Sequence, residues 1–278
     1  MTDLLLHSMK EFDEIIFEVL SGVRPKSVLE IGSETGVFSK RLTGFCAKTG
    51  AKLAVVEPLP APELIEAAQK EDDLHLFAGT SLGYLSKFGC PADLAFIDGD
   101  HNYFTVKNEL ELIHRAWRSR AARGVMILHD IGFPSARRDA YCDPSAIPAD
   151  ARHPYSYDLG VGSIEGSPLI RGGFRGEGRF AWATHQGGPR NGVLTAVEDF
   201  LAAHGDLTFR SIEAVFGLGA ITFKGSEADA IVGQAFAKYD NLLVKRLERN
   251  RLELYLKVIE LQDRLQAQEK SAALRASP

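Results

Sequence analysis

Short apolar runs recur through the first half of the chain, each followed by a stretch whose apolar residues fall at helical spacing. SVLEI (27–31), KLAVVE (52–57), LHLFAG (74–79), DLAFID (93–98) and GVMILH (124–129) read as strands. VFSKRLTGFCAKT, PELIEAAQKE and TVKNELELIHRAWRS read as amphipathic helices between them. Alternation of this kind predicts βαβ units and a parallel sheet covered on both faces. The fold class is therefore α/β: a doubly wound, mostly parallel, seven-stranded sheet of Rossmann-like form, ending in a long C-terminal helix.

The flanks of this region carry other patterns. Leu5, Met9, Phe12, Ile16, Val19 and Leu20 predict a helix over 3–20, closed by Gly22 and Pro25. Between Asp130 and Gly192 the periodicity stops and Gly, Pro, Arg and aromatic residues dominate, which predicts an ordered lid over 131–192. VLTAVEDFLAAHG then reads as a helix, and LTFRSIEAVFGLGAITFK as two strands around a glycine turn that complete the sheet. In the tail, Val244, Leu247, Arg251, Leu254, Val258, Leu261 and Leu265 step alternately by three and four, an a/d seam containing one arginine. That seam fits pairing with a second copy, or a long helix lying back on its own domain. The chain thus divides into an N-terminal helix (1–26), one catalytic domain (27–230) and a C-terminal helix (231–278).

Composition narrows the partners. With a formal net charge of −5 and both signs interspersed, no basic field exists to hold a phosphate backbone, so nucleic acid is not expected. No apolar run approaches the ~20 residues of a spanning helix, and the acids near the N-terminus argue against a secretion signal. A cytoplasmic protein without a membrane partner is expected. The three cysteines, Cys46, Cys90 and Cys142, are too widely spaced for a metal knuckle and are expected as reduced thiols.

The densest chemistry lies in Val28-Leu29-Glu30-Ile31-Gly32-Ser33-Glu34-Thr35-Gly36, where an apolar strand ends in two glycines four apart and a helix follows. Gly32 permits a tight turn against a ligand, and the helix start beyond Gly36 offers N–H groups to a carboxylate. Glu34 stands where a dinucleotide fingerprint has its second glycine and would repel a pyrophosphate. Glu57 ends the second strand, where a carboxylate can accept both hydroxyls of a ribose. Ala78-Gly79-Thr80-Ser81 follows the third strand. Phe96-Ile97-Asp98-Gly99-Asp100-His101 and Val125-Met126-Ile127-Leu128-His129-Asp130 then aim titratable groups from two strands at one crevice. Asp100 as a helix cap and His129 as a core histidine are the bland alternatives.

In the order of these motifs the chain resembles the class I S-adenosylmethionine-dependent methyltransferases, whose first motif is E/D-x-G-x-x-x-G. It is most similar to the small-molecule O-methyltransferases of the catechol-type and methyltransferase-24-like branch. The resemblance implies S-adenosylmethionine held by Glu30, Gly32, Ser33, Gly36, Ser39, Glu57, Gly79, Thr80, Ser81 and Asp98, with Gly79 to Ser81 against the adenine. It implies Asp98 and Asp130, with His129 beside them, as ligands of a magnesium ion, and His101 as the catalytic base alongside Asp98. Two positions depart from the pattern. Ile131 replaces an asparagine ligand, and Phe38 replaces a serine, for which Ser39 next to it could serve.

The reaction that follows is methylation of a hydroxyl on a small molecule such as a natural product, phenol or sugar. A hydroxyl with a pKa of ~10 or above needs a base or a cation to shed its proton at pH 7. Phe133, Tyr141, Tyr155, Tyr157, Phe174, Phe180 and Trp182 are expected as walls of the acceptor pocket, and lid arginines as partners of an anionic acceptor. Two other functions fit the same sequence: a hydroxylase-like relative of the methyltransferase fold, and a non-catalytic assembly scaffold. A homo-oligomer through the C-terminal helix is expected.

Overall fold

The structure, a computed structural model, describes residues 5–166 and 168–276. Residues 3 and 4 of the expected N-terminal helix, Ser167 in the lid, and residues 277 and 278 of the tail lie outside the described residues.

Five parallel strands form the centre: β1 (Ser27–Ile31), β2 (Lys52–Glu57), β3 (Leu74–Ala78), β4 (Leu94–Ile97) and β5 (Val125–Leu128). They alternate with α2 (Val37–Thr49), α3 (Pro62–Lys70), α4 (Ser81–Phe88) and α5 (Tyr103–Ser119), after α1 (Asp13–Val23) has crossed ahead of them. Beyond the lid come α6 (Val193–Ala203), β11 (Leu207–Ile212), β12 (Leu218–Phe223), α7 (Glu227–Ala237) and α8 (Leu242–Ala276). The sheet runs β3-β2-β1-β4-β5-β12-β11, with β12 antiparallel to both neighbours. Strand order reverses between β1 and β4, so a crevice opens beyond their carboxyl ends.

Both sheet faces are covered, as the uninterrupted apolar strands require. Val28, Phe96, Val125 and Ala220 meet α1, α2 and α7 on one face. Leu29, Ala95, Met126 and Ile221 meet α4, α5 and α6 on the other.

Three boundaries differ from the sequence expectation. The N-terminal element starts as a 3₁₀ turn at Met9–Phe12, and α1 then runs through Gly22 to Val23, closing where Arg24 turns left-handed. The short α4, with Gly83 inside it, carries too little periodicity to stand out in the sequence. The segment from 231 onward is two helices: α7 packs Val232, Ala235 and Phe236 into the core, and only α8 extends beyond it.

The lid is ordered. β6 (Ala140–Tyr141), β10 (Ala181–Ala183) and β7 (Tyr155–Ser156) make a small antiparallel sheet, and β8 (Leu159–Gly160) pairs with β9 (Ile170–Arg171). Among the described residues no helix is long and apolar enough to cross a membrane.

Candidate functional site

Gly32 leaves β1 with φ +84°, and a Cβ there would lie 2.1 Å from the carbonyl oxygen of Asp98, so only glycine lets β1 and β4 end side by side. The ladders keep these ends level: Asp98 N–H donates to Ile31 (2.9 Å) and His129 N–H to Ile97 (3.1 Å). The turn after Gly32 closes through Gly36 N–H to Ser33 O (2.7 Å), and Gly36 heads α2 without a capping side chain. An uncapped helix start at a sheet edge suits a carboxylate.

Glu57 stands beside this turn. Its Oε2 accepts from the N–H groups of Ser33 (2.9 Å) and Glu34 (3.3 Å), and its Oε1 from Leu59 N–H (3.0 Å). The carboxylate therefore braces the turn as well as facing the crevice. Gly79 N–H returns to Glu57 O (3.2 Å), and Thr80 caps α4 through Gly83 N–H (3.2 Å).

Three expected cofactor contacts are placed below the crevice surface. Glu30 is 1% exposed, its carboxyl oxygens have no hydrogen-bond partner, and burial pushes its pKa up to about 8, tempered by the Ser39 hydroxyl that faces it. Ser39 is fully enclosed, which removes it from the role of meeting a cofactor carboxylate. Ser81 is buried too, and its hydroxyl faces Glu109 of α5. Glu109 was not expected at the site. Its carboxyl is fully buried without a hydrogen-bond partner of good geometry, and burial pushes its pKa up to about 8. Its place on the inward stripe of α5, with Thr105, Val106, Leu110 and Ile113, is the signal that marks it in sequence.

At the ends of β4 and β5 two acids and two histidines converge. His101 Nε2 lies 3.2 Å from both Asp98 Oδ1 and Asp130 Oδ2, and His129 Nδ1 lies 3.3 Å from the same two oxygens. Burial disfavours charge on both rings, but the carboxylates override it. His101 is pushed up to about 9 and His129 well above its ordinary value. Burial likewise opposes ionisation of Asp98, yet the imidazoles of His129 and His101 hold it well below the usual carboxylate range. Asp130 reaches the cluster from a left-handed backbone (φ +56°). Asp98, His129 and Asp130 offer ligand atoms within 4.8 Å of one another. Magnesium fits this donor set poorly, because it takes oxygen ligands while a buried imidazole nitrogen stands here and Ile131 is packed in the core.

Asp100 leaves the cluster. It accepts from Asn102 Nδ2 (2.6 Å), Thr105 Oγ1 (3.3 Å) and the N–H of Cys142 in the lid (3.0 Å), while Asn102 caps α5. The lid is latched a second time at buried Asp139, which accepts from Tyr103 N–H (2.8 Å), Gly192 N–H (2.7 Å) and Tyr141 Oη (2.8 Å). Several expected pocket walls are instead the lid's own core: Tyr141 is enclosed, and Phe133, Phe174 and Phe180 pack around Trp182. Tyr155 and Tyr157 stay open, at 39% and 37% exposure. Three of the lid arginines already have partners: Arg137 grips Glu198 (2.5 and 2.6 Å), Arg138 donates to Ala183 O (2.6 Å), and Arg175 grips Asp263 (2.9 and 3.2 Å).

The doubly wound sheet thus sets a glycine turn, Glu57 and a titratable cluster along one carboxyl edge. Residues 29–131 match the family described as a methyltransferase domain. No curated protein sequence matches the chain. The chain is similar to a solved structure from Staphylococcus aureus described as a caffeoyl-CoA O-methyltransferase (13% identity, 78% of this chain and 84% of that one, TM-score 0.46). It is also similar to an S-adenosylhomocysteine-bound methyltransferase of Podospora anserina (16%, 76% and 78%, 0.43). A third is the O-methyltransferase of tomaymycin synthesis from Streptomyces achromogenes (15%, 79% and 82%, 0.42).

Proposed function

We propose that this methyltransferase alkylates a hydroxyl oxygen of a small molecule, with His101 receiving the proton. The observation that carries the reading is the common edge on which the Gly32–Gly36 turn, Glu57 and the Asp98–His101 pair stand level. The turn and the head of α2 suit the amino-acid end of S-adenosylmethionine, Glu57 its ribose, and the loop from Gly79 to Ser81 its adenine. The sulfonium would then lie toward Asp98, and the acceptor beyond it toward His101.

In the transfer, a lone pair of the acceptor oxygen attacks the methyl carbon as the carbon–sulfur bond breaks toward sulfur, leaving S-adenosylhomocysteine. The acceptor proton passes to His101 Nε2. Only the neutral ring can take it, and the flanking carboxylates that raise its proton affinity to about 9 make it a stronger base than a free imidazole. Holding oxygen, carbon and sulfur in line supplies much of the remaining acceleration.

Calorimetric titration with S-adenosylhomocysteine tests the cofactor half of the reading. Micromolar binding is expected, weakened tenfold or more (~1.4 kcal/mol) in Glu57→Ala. No binding to folded protein would overturn it. For the acceptor half, His101→Gln is expected to lower turnover about 10²–10⁴-fold with cofactor affinity nearly unchanged. Equal turnover would remove His101 as the base.

We further propose that α8 pairs two copies of the chain. Leu247, Leu254, Val258, Leu261 and Leu265 of the a/d seam are exposed, while Leu252 and Leu256 pack on the domain. Arg251 turns out of the seam, its guanidinium 5.0 Å from the Phe216 ring centroid. The helix therefore has both an inward face and an open one. Light scattering is expected to show a dimer that Val258→Glu with Leu261→Glu converts to monomer, and a monomeric wild type would refute the pairing.

A further inference from the structure

Val215, Phe216 and Gly217 follow one another at φ +47°, +65° and +95°, backbone that glycine adopts freely and a β-branched residue does not. Two such side chains in a row persist only where their surroundings hold them. Three contacts hold this loop. Phe216 O accepts from Gly132 N–H (2.6 Å), and Phe216 N–H donates to Glu248 of α8 (3.1 Å). The third is made on the Phe216 ring, which is 4% exposed. Phe174 of the lid stacks on that ring, with centroids 5.9 Å apart and planes 14° from parallel, and the Arg251 guanidinium lies 5.0 Å from its centre.

Phe174 is itself fixed on all sides. It exchanges backbone hydrogen bonds with Val161 (2.8 and 2.9 Å), its carbonyl accepts from Trp182 Nε1 (3.1 Å), and its ring meets Tyr255 of α8 edge-on at 5.9 Å. Its two chain neighbours share one carboxylate of α8: Gly173 N–H donates to Asp263 (3.3 Å) and Arg175 grips it (2.9 and 3.2 Å). The lid is thus clasped to α8 where it presses on the loop.

The loop acts through Val215. Its carbonyl can only accept a hydrogen bond, so His129 Nε2, 2.8 Å away, is the donor. That ring is 2% exposed, and its Nδ1 lies 3.3 Å from Asp98 Oδ1 and Asp130 Oδ2. His101 Nε2 meets the same two oxygens at 3.2 Å. A turn of the His129 ring therefore shifts both carboxylates against His101. We infer that Phe174 is a positioning residue: the lid, seated on Phe216, keeps Val215 turned toward His129 and so keeps Asp98 and Asp130 set against His101. Covering the crevice and ordering its titratable groups are then one event, because one contact does both.

The value of this ordering for methyl transfer rests on the reading of His101 as the base, whereas the coupling itself is measured on the free full-length protein. The Nε2–H of His129 is followed by proton–nitrogen NMR and assigned by its absence in His129→Gln. A protected ring N–H is expected in the wild type, exchanging at least about tenfold faster in Phe174→Ala while the backbone amides of β5 stay unchanged. Phe174→Tyr, which keeps the stacked ring, should restore it. Asp263→Ala opens the clasp without touching the lid core and is expected to speed the same exchange, so the test stays decisive if Phe174→Ala does not fold. No protected ring N–H in the wild type, exchange unchanged in these variants, or equal acceleration throughout β5 would overturn the inference. Titration of the wild type with S-adenosylhomocysteine is run beside it. Absence of binding there would strike the proposed function and leave the coupling standing.

Discussion

His129 Nε2 lies 2.8 Å from the carbonyl oxygen of Val215, across 86 residues of chain. This bond holds the ring whose other nitrogen faces Asp98 and Asp130 at 3.3 Å. Replacing His129 by leucine would leave the carbonyl without a donor and two half-buried carboxylates without one of their imidazole partners. Urea unfolding is expected to show a loss of about 3–5 kcal/mol, and a loss below ~1 kcal/mol would mean the ring is not a buried bridge.

Two glycines of the first motif carry different demands. At Gly32 a Cβ would meet the Asp98 backbone at 2.1 Å; at Gly36, also left-handed, the nearest atom would be Leu64 Cβ at 3.8 Å. Gly36→Ala is expected to cost about 1 kcal/mol, the price of the backbone conformation. Gly32→Ala should cost several times more and abolish S-adenosylhomocysteine binding, because β1 and β4 must part. Equal costs in thermal unfolding would contradict the close approach.

Burial pushes Glu30 and Glu109 from an ordinary value of 4.5 up to about 8. Between those values the folded state holds protons that the unfolded chain has released. Stability from these two groups is therefore complete below pH 4.5 and is lost as pH rises toward 8. Unfolding measured from pH 5 to 8 is expected to show Glu109→Gln losing less stability over that interval than the parent, by on the order of a few kcal/mol. Parallel curves would mean that Glu109 ionises normally.

Asp139 gathers Tyr103 N–H, Gly192 N–H and the Tyr141 hydroxyl on one buried carboxylate. Asp139→Ala strands three donors and unfastens the lid from α5. A loss of about 2–5 kcal/mol is expected, together with new protease cleavage between 140 and 190. Cleavage unchanged from wild type would show that the lid is held elsewhere.

Much of the molecule was legible because its signals are local. Strand and helix periods, the glycine spacing, and acids at strand ends each depend on a few neighbouring residues, and they yielded the sheet, the crevice edge and the group of Asp98, His101, His129 and Asp130. Ser39 shows the limit of such reading: it stands next to Phe38, which holds the serine position of the family the chain resembles, and so was expected to serve as a ligand contact, but helix α2 turns its hydroxyl inward toward Glu30. Side-chain direction on a helix depends on what packs against it.

The lid and the C-terminal helix mark the same boundary. Their aromatic and apolar residues were visible as composition, yet which rings form the lid core and which stay open follows from antiparallel pairing of two- and three-residue strands. The seam on α8 could be read from spacing alone; that Arg251 leaves it for Phe216 could not.

By itself the sequence determined the periodic elements and the chemistry available at the ends of β1, β2, β4 and β5. Tertiary structure decided how that chemistry is poised. Val215 is distant in sequence from the histidine it orients, and Glu109, although its place on the apolar stripe of α5 is visible in sequence, acquires its raised proton affinity from burial beside Ser81 and Asp100. Proton positions and buried charge are set by contacts between remote segments, and the energies of those contacts exist only once the chain has folded.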